Sequence, residues 1–378
     1  MVNEERLLNE FLELVQIDSE TRNEKEISIV LKKKFEELGV EVYEDDAESK
    51  TEHAAGNLIC TLKGNKEGVD TIYFTSHMDT VTPGKGIKPS IKDGYVVTDG
   101  TTILGADDKA GLAAMFEAIK VLKEQNIAHG DIQFVITVGE ESGLVGAKAM
   151  DASKITAKYG FALDSDGPVG DIIVAAPTQA KVRATLYGKS AHAGVAPEKG
   201  VSAITIAAKA ISRMPLGRID EETTANIGHF HGGGHGEQTN IVCDQVFVLA
   251  EARSLIHEKM EAQTAKMKEA YETVAAEMGG RAEVEIEVMY PGFKFSDGDY
   301  VVEVAKKAAE KIGRPHKLLH SGGGSDANII AGHGIPTVNL AVGYEEIHTT
   351  NERMPIKELT KTAEIVLAVI EVAASKKE

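Results

Sequence analysis

The sequence predicts an α/β protein built on a mostly parallel sheet with helices on both faces, into which a smaller α+β domain is inserted. Three observations predict it. Apolar runs of strand length alternate with helical patterns at both ends of the chain. Those runs are apolar on both faces, as strands covered on two sides must be. The middle of the chain instead has strands that alternate polar and apolar, in the order β-α-β-β-α-β of ferredoxin-like domains.

The elements follow in order. Leu8, Phe11, Leu12 and Val15 recur at helical spacing, as do Ile29, Val30, Phe35 and Leu38, closed by Gly39. "NLICTL" and "TIYFTS" then read as strands. "AGLAAMFEAIKVLKEQ" (110–125) sets Leu112, Met115, Phe116, Ile119 and Leu122 on one helical face, and "DIQFVITVGEE" and "YGFALDSDG" are apolar strands that end in acids. The inserted pattern comprises strands at 180–188, 223–230, 245–254 and 282–290 and helices at 200–214 and 258–279. After Pro291 a helix (300–312), "SGGGSDAN" and "PTVNLAVG" return to the α/β style. The expected division is a main domain of 1–176 and 291–378 and an inserted domain of 177–290.

The 378 residues are 42% hydrophobic, enough for a large core and too many for one ordinary domain. A net charge of −18 argues against nucleic acid and anionic membranes as partners. Cys60 and Cys243 are too few for a disulfide framework, which suits a reducing cytoplasm, and the acidic start "MVNEERLLNE" lacks the apolar core of a signal peptide. No run approaches the ~20 apolar residues of a membrane span.

In an open α/β sheet ligands bind beyond the carboxyl ends of the strands. There the chain places His77 and Asp79, Glu140 and Glu141, Asp164 and Asp166, and His348, with Asp107 and Asp108 just before a helix. Singly, each has an ordinary reading as a cap, an Asx turn or a solvated loop. Together at one sheet edge they repel one another unless a cation intervenes. Histidine with several carboxylates suits Zn²⁺, Co²⁺ or Mn²⁺. Residues two apart in an extended chain point the same way, so His77 is expected to use one ring nitrogen for metal while Asp79 takes the other N–H. Of the adjacent glutamates, one can hold metal while the other stays free as a general base.

The motifs "SHMDTV", "LGADDKAGLAA", "VGEESGLVG", "FALDSDG", "YGKSAHAGVAPEKGVSAI" and "IHTTNERMPI" resemble the di-zinc exopeptidases and amidohydrolases, a family that includes peptidase T-like aminotripeptidases, glutamate carboxypeptidases and desuccinylases. "ILGADDKAG" and "GKSAHAG" are most similar to the peptidase T-like members. The resemblance spans nearly the whole chain. It implies two divalent metal ions, zinc first, bridged by Asp107 rather than Asp108. It further implies His77, Glu141, Asp164 and His348 as the other ligands, Asp79 as the residue that orients His77, and Glu140 as the general base. "LDSDG" stands where peptidase T has "VDGG", which makes Asp166 a rival of Asp164. The inserted domain would act as a lid and homodimer surface, with His192 stabilising the oxyanion and Asn240, Arg253, Gly323 and Ser325 contacting substrate. The activity implied is removal of the N-terminal residue from short peptides in the cytoplasm. The alternatives are deacylation of N-acyl amino acids and a carboxypeptidase reaction. "HFHGGGHG" (229–236), with His229, His231 and His235, reads as a flexible hairpin loop rather than a metal site.

Overall fold

The computed structural model describes residues 1–232 and 238–375. They form two compact units, Met1–Ala175 with Phe295–Ser321 and Ser325–Glu378, and Ala176–Lys294 with Gly322–Gly324. His235 of the histidine-rich loop lies outside the described residues.

The doubly apolar runs become the centre of the main sheet. Its strands follow the order Glu41–Glu44, Leu58–Leu62, Ile132–Thr137, Ile72–His77, Tyr159–Ser165, Thr337–Ala341, Asp171–Ala176, and Lys317–His320 pairs with the last of these. Ile72–His77 runs parallel to both of its neighbours, and Thr337–Ala341 parallel to Tyr159–Ser165. Antiparallel pairing is confined to the flanks. Every residue of Ile72–His77 and Ile132–Thr137 is buried, because helices cover both faces. Phe74, Phe134 and Phe161 face Phe35, Phe116 and the helices Glu4–Val15, Ala106–Glu124 and Ile356–Ala374. Their alternate neighbours Tyr73 and Val135 pack with Met150, Ile155 and Ile330 on the other face.

The helix expected from 110 begins earlier, at Ala106, but its backbone is non-helical at Asp107 and Asp108. The regular helix therefore starts at Lys109 and leaves the two aspartates on an irregular turn. Strands Asp171–Ala176 and Lys317–His320, and the small sheet of Ser90–Lys92, Tyr95–Val97 and Met354–Pro355, have no counterpart in the sequence reading. All but the first are four residues or shorter, and each is defined by pairing rather than by pattern.

The second unit has Thr178–Tyr187, Ala203–Arg213, Thr223–Gly232, Gln245–Ser254, His257–Glu277 and Arg281–Tyr290 as its main elements. The long strands lie antiparallel with the fourth beside the first, then the third, then the second, the ferredoxin-like order. Val182, Ala184, Leu186, Val246 and Val248 pack against Ile206, Met267, Tyr271 and Val274 of its two helices. Among the described residues no helix is long and apolar enough to cross a membrane.

Candidate metal centre and catalytic loop

The parallel strands bring their carboxyl ends to one edge of the main sheet, and the acids and histidines collect there. His77 is the last residue of its strand, Asp164 is next to last in Tyr159–Ser165, and Glu140 and Glu141 occupy the turn after Ile132–Thr137. Asp107 lies on the irregular turn before its helix, and His348 on the loop after Thr337–Ala341.

Asp107 is central. Its Oδ1 lies 3.0 Å from His77 Nε2, which is itself 3.7 Å from Asp164 Oδ1. Its Oδ2 lies 3.1 Å from His348 Nε2, which is 3.1 Å from Glu141 Oε1. One carboxylate thus faces two groups of ligand atoms, one through each oxygen. His77, Asp107 and Glu141 also offer atoms that all lie within 4.8 Å of one another, close enough to share one ion.

Crowding sets the protonation of these groups. Burial alone would lower the His77 pKa, but hydrogen bonds to Asp107, Asp164 and Asp79 outweigh it and hold the pKa well above the usual value. Hydrogen bonds to Asp107 and Glu141 raise His348 to about 10. Burial raises Asp164 to about 6, and burial with the nearby Asp164 charge pushes Glu140 far up. Asp107 goes the other way: burial opposes its ionisation, but His348 and His77 hold it below the ordinary carboxylate range. In the absence of metal, protons supply the positive charge that this cluster of acids needs.

Asp79 supports the site differently from the expected bond. His77 Nδ1 donates to the backbone carbonyl of Asp79 at 2.9 Å, while the Asp79 carboxylate stands 3.5 Å away. That carboxylate, fully buried, accepts the amides of Glu140 at 3.0 Å and Glu141 at 3.2 Å. Asp79 therefore fixes the His77 ring through its main chain and the glutamate turn through its side chain. Asp164 accepts the Tyr344 hydroxyl at 3.1 Å, whereas its rival Asp166 is exposed. Asp108 is buried and accepts the Gly111 amide at 3.3 Å.

Two residues of this unit escaped the sequence reading. Glu352, 2% exposed, accepts the amides of Leu104, Gly105 and Asp107 at 2.7, 2.8 and 3.0 Å, and so fixes the turn that carries Asp107. Asp326, also buried, accepts the Thr137 hydroxyl and is pushed up to about 7, first by burial. Glu352 follows His348 by four residues in "IHTTNERMPI", and Asp326 sits in "SGGGSDAN"; an acid inside each quoted motif was the available signal.

Ser325 caps the seven-residue helix Asp326–Gly332, and its amide already donates to Asn328 Oδ1 at 3.0 Å. That amide is accordingly committed to the cap. His192, Asn240, Arg253 and Gly323 belong to the second unit. His192 Nδ1 accepts the Gly194 and Val195 amides at 3.2 Å, which leaves the proton on Nε2. The adjacent Ala193 amide donates to the Asn240 carbonyl at 2.8 Å, so the two segments are paired. Arg253 is engaged within its own unit: it donates to both oxygens of Glu251 at 2.8 and 3.2 Å, to the Tyr290 hydroxyl and to the Gly322 carbonyl. His229 and His231 stack with ring centroids 6.4 Å apart.

Comparison with known proteins agrees with this architecture. The model of peptidase family M20/M25/M40 matches residues 73–372. The chain is 76% identical over 374 residues to YqjE of Bacillus subtilis (strain 168), covering 99% of this chain and all of that one. It is similar to the crystal structure of aminopeptidase PepT from Bacillus cereus ATCC 10987, with a TM-score of 0.96, 76% identity and coverage of 99% and 100% of the two chains. It is also similar to that of a tripeptidase from Staphylococcus aureus subsp. aureus mu50, with a TM-score of 0.96, 56% identity and 99% of each chain covered. With the matched region extending from the strand that carries His77 to the last helix, the chain belongs to peptidase family M20/M25/M40.

Proposed function

We propose that the protein is a two-metal aminopeptidase that removes the N-terminal residue of short peptides, with Zn²⁺ as the preferred ion and Co²⁺ or Mn²⁺ able to replace it. The observation that carries this reading is the division of Asp107, with one oxygen toward His77 and Asp164 and the other toward His348 and Glu141. The donor set fits metal: two ligands each about 2.1 Å from a tetrahedral ion lie about 3.4 Å apart. The four nitrogen–oxygen separations, 3.0, 3.1, 3.1 and 3.7 Å, lie on either side of that spacing.

When bound, two such ions polarise an amide carbonyl and make water acidic enough to react near neutral pH. The protein supplies the proton handling. Glu140, next to the ligand Glu141, takes a proton from the attacking water and returns it to the leaving amine. Asp79 holds the Glu140 and Glu141 amides, so the base and its neighbouring ligand keep fixed positions. The proton on His192 Nε2 suits an oxyanion, and Asn240, Arg253, Gly323 and Ser325 are assigned to the substrate. Because Arg253 is paired with Glu251, a substrate carboxylate there would share its donors rather than find a bare cation.

The aminopeptidase and tripeptidase names of the two similar structures support a peptide substrate. We assign the protein to the cytoplasm, in keeping with its free Cys60 and Cys243. We assign it a homodimer through the inserted unit, whose outer strand Arg281–Tyr290 exposes Ile286 and Val288. Hydrolysis of a tripeptide and of its N-acetylated form, with each metal supplied in turn, tests the reading. Cleavage of the free peptide alone is expected; faster cleavage of the acylated form would favour deacylation.

A further inference from the structure

We infer that Glu24, His53 and Ser142 form a positioning relay for the loop that carries Glu140 and Glu141, an inference that rests on the aminopeptidase reading above. Glu24 and the His53 side chain are almost wholly buried, and His53 Nδ1 lies 2.6 Å from Glu24 Oε1. The Arg22 and Ala54 amides donate to the same carboxylate, so Glu24 is fixed before it orients the ring. The other ring nitrogen, Nε2, lies 3.2 Å from Ser142 Oγ, and that hydroxyl donates to the Gly139 carbonyl at 3.2 Å. Ser142 and Gly139 bracket the glutamate pair.

The ring also abuts the loop directly. Gly139 has a φ of +59°, and a Cβ there would come within 2.4 Å of the His53 ring. Two residues past Ala55, Asn57 ties both ends of the same loop: it accepts the Val138 amide at 3.1 Å and donates to the Gly146 carbonyl at 2.9 Å. Asp79 holds the Glu140 and Glu141 amides. The loop is thus clamped at its base by Asn57, at its tip by Asp79 and along its back by His53. An error of about 1 Å in a group that must meet both water and metal costs roughly 100-fold in rate.

Carboxylate, imidazole and hydroxyl in series also resemble a nucleophilic triad. The burial of the pair and the donation of the hydroxyl to the Gly139 carbonyl make it a brace instead.

H53A, H53Q, S142A and a destabilised control, L7A in the first helix, test this. Each is measured for kcat and KM on a tripeptide, for melting temperature, and for the visible spectrum of the cobalt-loaded protein. H53A is expected to lose about 10- to 100-fold in kcat with little change in KM and to alter the cobalt spectrum. H53Q should recover part of the loss, and S142A should lose about 5-fold, the worth of one hydrogen bond. L7A should melt earlier with normal kcat and spectrum. If H53A behaves like L7A, the relay is overturned. Should H53A fail to fold, S142A decides: an unchanged kcat and spectrum overturns the relay. Complete loss of turnover in S142A with an unchanged spectrum would make Ser142 a nucleophile and also overturn it. If the wild type cleaves no peptide, the aminopeptidase reading fails, while the cobalt spectra still report on the loop.

Discussion

Replacement of Glu352 by glutamine isolates one hydrogen bond beneath Asp107. Oε2 of Glu352 accepts the Leu104 and Gly105 amides, and Oε1 accepts the Asp107 amide. A carboxamide has one oxygen. Keeping it on the pair of amides turns the NH₂ toward the Asp107 N–H, so a donor faces a donor in a buried place. At pH 8, above the value of about 7 to which burial pushes this carboxyl, the lost bond is to an ionised group. Such a bond is worth about 1.5–3 kcal/mol. If that loss is expressed at Asp107, affinity for zinc falls about 10- to 150-fold. Competition with a coloured chelator at pH 8 measures it, alongside the melting temperature of metal-free protein. Wild-type zinc affinity in a variant that melts earlier would show that Glu352 supports only the fold, and the argument for its hold on Asp107 would be refuted.

Three further outcomes follow from the same geometry. D79N turns an NH₂ toward the Glu140 or Glu141 amide and should lower kcat about 10- to 100-fold, measured with metal at saturation. E140Q should keep its metal content by elemental analysis and lose at least about 100-fold in kcat, the lower range for a general base. Asp326 is raised to about 7 from an ordinary 3.8, so its contribution favours the folded state below pH ~4 and is lost as pH rises through 7. The melting temperature of D326N relative to wild type should therefore be higher at pH 8 than at pH 5. A difference that does not change with pH would contradict that sign.

The arrangement of the site was legible wherever local pattern determined it. A mostly apolar strand that ends in His77, and another that leads to Glu140 and Glu141, place their last residues at one sheet edge once the strands are parallel. The ferredoxin-like order could be read from alternation in strands such as Gln245–Ser254. Supporting contacts were not legible, because they join residues remote in sequence. Glu352 meets Asp107 across 245 positions, and Asn57 meets Gly146 across 89. His53 stands in "TEHAAGN", which has no periodicity to mark it as buried. The second role of Asp79 was hidden for another reason: the period-2 argument fixes where a side chain points, and the chain leaves its strand at His77, before Asp79.

The most direct test of the metal centre is an anomalous difference map from crystals grown with zinc. The geometry predicts two peaks on either side of the Asp107 carboxylate, one contacted by His77 and Asp164 and the other by His348 and Glu141, with Glu140 bound to neither. A single peak remote from Asp107, or Glu140 found as a ligand, would contradict it.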